Sequence, residues 1–149
     1  MFLQIKKIPR LSWSSKSPRN LKPSFKTLFL LCFGLIIFGL GEGLLIVSTI
    51  GASPWNVLHQ GLALNLGLSV GTWAFLMSLI VLLLWFFLDE KIGMGTILNF
   101  IIIAIMIDLT IFFFAAPVLW INQFLLCVIS VLMVGLGSGI YLIARLGPG

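Results

Sequence analysis

Four long apolar runs, at residues 28–50, 70–88, 96–115 and 120–143, constrain every fold this chain can adopt. At a rise of 1.5 Å per residue, about 20 residues cross a hydrocarbon layer about 30 Å thick, so each run predicts a transmembrane helix. The charge content agrees: 60% of the residues are hydrophobic and 9% charged, against about 25% charged in an ordinary soluble domain. Such a chain cannot cover a globular surface with water-binding groups. A soluble enzyme and a nucleic-acid module are thereby excluded, and an integral membrane protein is expected. The first run exceeds the roughly 7–15 apolar residues of a secretory signal. It is therefore read as a span, although Thr49, Gly51 and Ala52 imitate a cleavage site.

The charges that remain are unevenly placed. Lys6, Lys7, Arg10, Lys16, Arg19, Lys22 and Lys26 all precede the first run, with no acid among them. Beyond them stand two bases, Lys91 and Arg145, against four acids, Glu42, Asp89, Glu90 and Asp108. Residues 1–27 thus read as a basic, loosely ordered tail beside a membrane, held on the cytoplasmic side and drawn to anionic lipid rather than to RNA. Residues 28–149 read as a single transmembrane domain. With the tail inside, the spans alternate so that Asp89-Glu90-Lys91 and Arg145 also fall inside, and the uncharged stretch at residues 117–122 falls outside.

Residues 51–71 fit no full span. Ser53 suits an N-cap and Pro54 the first helical position. A helix over residues 54–66 would be about 20 Å long, too short to cross. Its apolar stripe is Trp55, Leu58, Leu62 and Leu66, and its polar stripe Asn56, His59, Gln60 and Gly67. Such a helix either lies in the interface or re-enters the protein where lipid cannot reach its backbone.

The sequence also matches itself. Gly39, Leu40, Gly41, Gly43 and Gly51 recur as Gly135, Leu136, Gly137, Gly139 and Gly147, 96 residues apart throughout. The first and last spans run in opposite directions, so the match predicts an inverted-topology repeat of the kind found in secondary transporters. The competing explanation is local. Gly39-x-x-x-Gly43 and Gly135-x-x-x-Gly139 are small-xxx-small patterns that let helices pack closely, and these four glycines are taken as packing residues. The sequence stops where the partner of Pro54-Trp55-Asn56 would begin. The expected fold is therefore all-α and transmembrane: four membrane-spanning helices plus one short re-entrant or interfacial helix, the first half and the start of the second half of an inverted repeat.

Four markers occur in order: Gly51-Ala52-Ser53-Pro54-Trp55-Asn56-Val57-Leu58-His59-Gln60-Gly61-Leu62; Gly67-Leu68-Ser69-Val70-Gly71-Thr72; Gly95-Thr96-Ile97-Leu98-Asn99 followed by Asp108; and Gly135-Leu136-Gly137-Ser138-Gly139-Ile140-Tyr141 followed by Arg145-Leu146-Gly147-Pro148-Gly149. From about Leu28 onward the chain resembles the YczE/YyaS/YitT family of bacterial multi-pass membrane proteins. The resemblance implies a place in the bacterial cell membrane and a further set of spans, so that this sequence is C-terminally truncated relative to the family. The family brings no settled biochemical activity with it.

Glu42 and Asp108 are the two carboxylates within spans. An acid costs a few kcal/mol there on insertion scales and is a functional candidate by default. Both spans start inside, which places the two acids at similar depth, fit for a cation, a proton or a polar substrate; each could equally be a protonated acid capping a neighbouring backbone. The Gly51–Ser53 turn could offer helix N–H groups to an anion, or be a plain cap. Asn56 and Asn99 complete the substrate- or ion-binding candidates, with interhelical bonding the competing role for Asn99. His59 has no second ligand nearby, so no metal site is expected. Cys32 and Cys127 lie at different depths and cannot readily bridge. No catalytic residue and no cofactor is expected. The sequence points to a non-enzymatic, permease-like membrane protein for a small solute. The alternative is a scaffold that binds partner helices and anionic lipid. The partners expected are membrane lipid and either a second copy or a complementing chain, with no nucleic acid.

Overall fold

The computed structural model describes residues 14–15, 23–88 and 92–146. Most of the basic tail, the Asp89-Glu90-Lys91 turn and the final Gly147-Pro148-Gly149 lie outside the described residues. The fold is all-helical: α1 (Phe25–Ser48), α2 (Pro54–Leu66), α3 (Val70–Phe87), α4 (Met94–Phe113) and α5 (Trp120–Ala144). α1, α4 and α5 are each long and apolar enough to cross a membrane. α2 and α3 meet at a 114° bend and together supply a fourth candidate crossing, as a broken span or a re-entrant loop. Against the expectation of four separate spans, the second is thus tied to the short helix before it.

Local signals explain the element ends. Ser24, Ser53 and Ser69 cap α1, α2 and α3, each accepting the N–H three residues on, which satisfies a donor the helix cannot pair internally. Thr49 ends α1 in the left-handed region. Gly67 (φ 76°) and Leu68 (φ 67°) put two consecutive left-handed residues between α2 and α3. A helix cannot continue through such a pair, so the chain bends here.

α1 is the centre of the bundle, with Leu31 and Leu35 buried. It packs on both α5 and α4, while α3 packs on α4 and α2 on α3. The α1–α5 pair is antiparallel and in backbone contact: a Cβ on Gly34 would lie 2.7 Å from the Tyr141 nitrogen, and one on Gly137 2.6 Å from the Phe38 nitrogen. The α1–α4 pair is parallel, with Gly39 against Met106 and Gly43 against Thr110. The packing expectation thus needs correction on α5. Gly135 and Gly139 have nothing within 4 Å of an added Cβ, and the close approach falls to Gly137, on another face of the same helix.

One end of the bundle is tied by backbone bonds. The last carbonyls of α5, which no helix can satisfy internally, accept from Ser14 Oγ (at Ile143, 2.8 Å) and Ser15 N (at Ala144, 3.0 Å), and just beyond the helix the Leu146 carbonyl accepts from Gly95 N (2.7 Å). The N-terminal segment, the start of α4 and the end of α5 therefore share a side. The outward surface is apolar and includes the exposed side chains of Leu83, Phe87, Phe112, Leu132 and Leu136. A water-soluble monomer does not present so continuous an apolar exterior; a hydrocarbon solvent requires it.

Candidate functional site

The two intramembrane carboxylates end up doing the same thing in two places. On α1, the Glu42 carboxylate accepts from Ser53 Oγ (2.9 Å) and from Asn56 Nδ2 (2.5 Å). On α4, the Asp108 carboxylate accepts from Ser69 Oγ and from the Gly71 backbone N–H (2.7 Å). Ser53 and Ser69 are the N-caps of α2 and α3. Each acid of one helix therefore sits at the positive end of another, where a negative charge is favoured. Of the two roles open to the Gly51–Ser53 turn, Ser53 fills the cap, and the carboxylate beside it is the chain's own Glu42.

The register fixes the depth of this arrangement. Gly39 faces Met106 and Gly43 faces Thr110, so Glu42 and Asp108 lie at nearly one level. Glu42 is six residues before the end of α1, which is about 9 Å below it. The chain leaves α1 and doubles back, so that Ser53, beyond that end, reaches down to Glu42. The 13 residues of α2, about 20 Å of helix, then run from Glu42 to the bend that meets Asp108. α2 thus runs between the two carboxylates, below the C-terminal ends of α1 and α4.

The faces of α2 agree with this depth. Asn56 and His59 are buried, while Trp55, Val57, Leu58, Leu64 and Leu66 are exposed. The polar stripe turns inward to the protein and the apolar residues turn outward, the reverse of a helix resting on a water-soluble core. Gln60 Nε2 donates to the Asn56 carbonyl (3.3 Å). His59, one turn beyond Asn56, is 7% exposed, stacks on Trp55, and has a buried Nδ1 without a hydrogen-bond partner.

On the second carboxylate, Gly71 is the residue that permits contact. A Cβ there would lie 2.2 Å from the Ala104 carbonyl oxygen and 2.6 Å from the Asp108 carboxyl carbon. Ser69 Oγ also pairs with Thr72 Oγ1 (2.7 Å) and Trp73 Nε1 donates to the Gly67 carbonyl (2.7 Å), which braces the bend. Ser69, Gly71 and Thr72 were not among the residues singled out as candidates. Their signal was nonetheless present: Ser69 followed by a helical run repeats the capping pattern of Ser53.

The remaining candidates are not drawn in. Asn99 is half-buried on α4, nine residues before Asp108 and so about 14 Å along the axis. Gly51 is exposed in the α1–α2 connection, with open space around it. Cys32 and Cys127 are free. Among the described residues no three His, Cys, Asp or Glu side chains gather where they could share a metal ion.

Residues 25–149 match a family of unknown function, DUF6198. An uncharacterized protein of Haemophilus influenzae is 37% identical over 146 residues, covering 98% of this chain and 66% of its own length. Two Bacillus subtilis proteins also match. The uncharacterized membrane protein YczE is 33% identical over 78% of this chain and 55% of its own length. The uncharacterized protein YyaS is 38% identical over 73% of this chain and 56% of its own length. This chain therefore spans between about half and two thirds of the relatives it matches. No solved structure matches it. The apolar helices and these relatives identify the chain as a membrane protein that belongs to the YczE/YyaS family.

Proposed function

We propose that this chain forms the core of a permease for a small polar solute in the bacterial cell membrane, with Glu42 and Asp108 as its ion- or substrate-binding groups. The observation that carries this reading is the pair of carboxylates at one depth, each holding the N-terminus of one half of the bent α2–α3 pair. Discontinuous helices whose termini meet polar groups inside the membrane are how many secondary transporters build a binding site. A structural role alone would be met more cheaply by a serine or an asparagine, because an acid at this depth costs several kcal/mol unless it is paired or protonated.

The test is uptake into proteoliposomes of a panel of radiolabelled amino acids, sugars and organic acids. One class is expected to enter faster than into empty vesicles, and Asp108→Asn or Glu42→Gln to slow it by about tenfold or more, the loss of a group used in each cycle. If no member of the panel enters above the empty-vesicle rate, or if both variants transport like the parent, the permease reading is wrong.

A further inference from the structure

Among the described residues both carboxylates are paired only with neutral donors: Ser53 and Asn56 at Glu42, Ser69 and the Gly71 N–H at Asp108. A carboxylate in a low-dielectric region, facing no cation, has one economical way to lose its charge, which is to take up a proton. The consequence depends on what the charge was doing. As an anion each group accepts two strong, charge-assisted hydrogen bonds from a helix start. Once protonated it carries a donor of its own, it is a weaker acceptor, and its attraction to the helix dipole is gone.

From this we propose that Glu42 is a proton-binding site and that protonating it releases the start of α2 from α1, making α2 the gate of a proton-coupled permease. The bend at Gly67 and Leu68, both left-handed, is the hinge, and the exposed apolar face of α2 lets the helix move within lipid without stranding polar groups. His59, buried on the inward face with a free Nδ1, is a second proton acceptor, on the moving element. The step is a simple association: a proton from the aqueous phase binds a Glu42 carboxylate oxygen, the Ser53 and Asn56 donors are let go, and the proton leaves again when the contacts re-form. The other titratable or charged groups among the described residues are few. α3 carries none. Lys26 and Cys32 lie toward the opposite end of α1, and Tyr141 and Arg145 toward that same end of α5, where Tyr141 packs edge-on against Phe38. Cys127 is on α5, one turn outward of Ser130, which faces Gly41. Among the described residues no cation therefore stands near Glu42 to replace the proton.

This proposal rests on the permease reading, and its test separates the two. Spin labels are placed at Val57→Cys, near the end of α2 away from the hinge, and Leu142→Cys at the far end of α5, both exposed, in a chain carrying Cys32→Ser and Cys127→Ser. Electron–electron distances are measured in lipid nanodiscs between about pH 9 and about pH 4, which brackets ordinary carboxylates and histidine. The expected result is a second population at low pH, displaced by about one helical turn, ~5 Å. It should appear at high pH in Glu42→Gln. A single distance across the whole pH range in the parent, whatever the variant does, overturns the proposal even if solute uptake is found. A pH-dependent second population in a protein that transports nothing upholds the gate and removes the permease.

Discussion

Gly71 is the residue on which the α3–α4 contact depends most directly. An added methyl group would collide with the Ala104 carbonyl, a backbone atom that cannot swing aside. Gly71→Ala must therefore push the start of α3 off Asp108 and break the N–H bond beneath it. The expected cost is about 1–3 kcal/mol, in the range of overpacked cores, read as a lower unfolding midpoint in detergent. Ser69→Ala, which removes one donor and adds no bulk, should cost less; a larger loss for Ser69→Ala would contradict this account of the contact. At this scale the sequence was half legible. The acids stood out because charge is rare in a span, and Ser53 because it precedes Pro54. Their pairing was not legible, since the partners of Glu42 and Asp108 lie 11 to 39 residues away and neither propensity nor periodicity reports on contacts at such separations. Gly71 is a plain case: in sequence it is one glycine in a loop marker, and its significance comes from α4.

Among the helices, the useful contrast lies along α5. Gly137 touches the α1 backbone, while Gly135 and Gly139 point into open space. Gly137→Ala should lower the unfolding midpoint by forcing α1 and α5 apart, at about 1–3 kcal/mol. Gly135→Ala should leave it unchanged or raise it, because alanine favours a helix over glycine by up to about 1 kcal/mol. Equal losses for the two would mean that another helix covers the Gly135 face in the assembled protein. The span lengths and the short helix at residues 54–66 were readable from the apolar runs and the cap, because hydrocarbon thickness sets the one and hydrogen-bond chemistry the other. The rotation of each helix about its axis was not. Gly39-x-x-x-Gly43 and Gly135-x-x-x-Gly139 are the same pattern, yet only the first faces a neighbour within this chain. The inward turn of Asn56 and His59 also needed the structure, since an amphipathic stripe shows that two faces differ without showing which one meets protein.

For the whole molecule, sidedness is the property that follows from the tied end. Ser14 and Ser15, the start of α4 and the end of α5 are bonded together, so they must share a compartment, with the 117–122 connection on the other. A membrane-impermeant maleimide applied to intact cells should label a cysteine placed at Val118, 95% exposed, and should not label one at Arg145 until the membrane is opened. Basic residues favour the cytoplasm for the tied end; the reverse labelling pattern would invert that orientation.

The tied end also bears on how the protein is made. Ser14 bonds to Ile143, 129 residues later, and the central helix α1 has as its two main neighbours α4 and α5, which leave a ribosome after α2 and α3. During synthesis α1 therefore waits in the bilayer with the faces around Gly34 and Gly39 uncovered. Its contacts with α5 form only once α5 has been translated. Packing of the described helices around α1 thus waits for α4 and α5, and the interval before α5 arrives is when the first helix is open to capture by an insertase or to degradation.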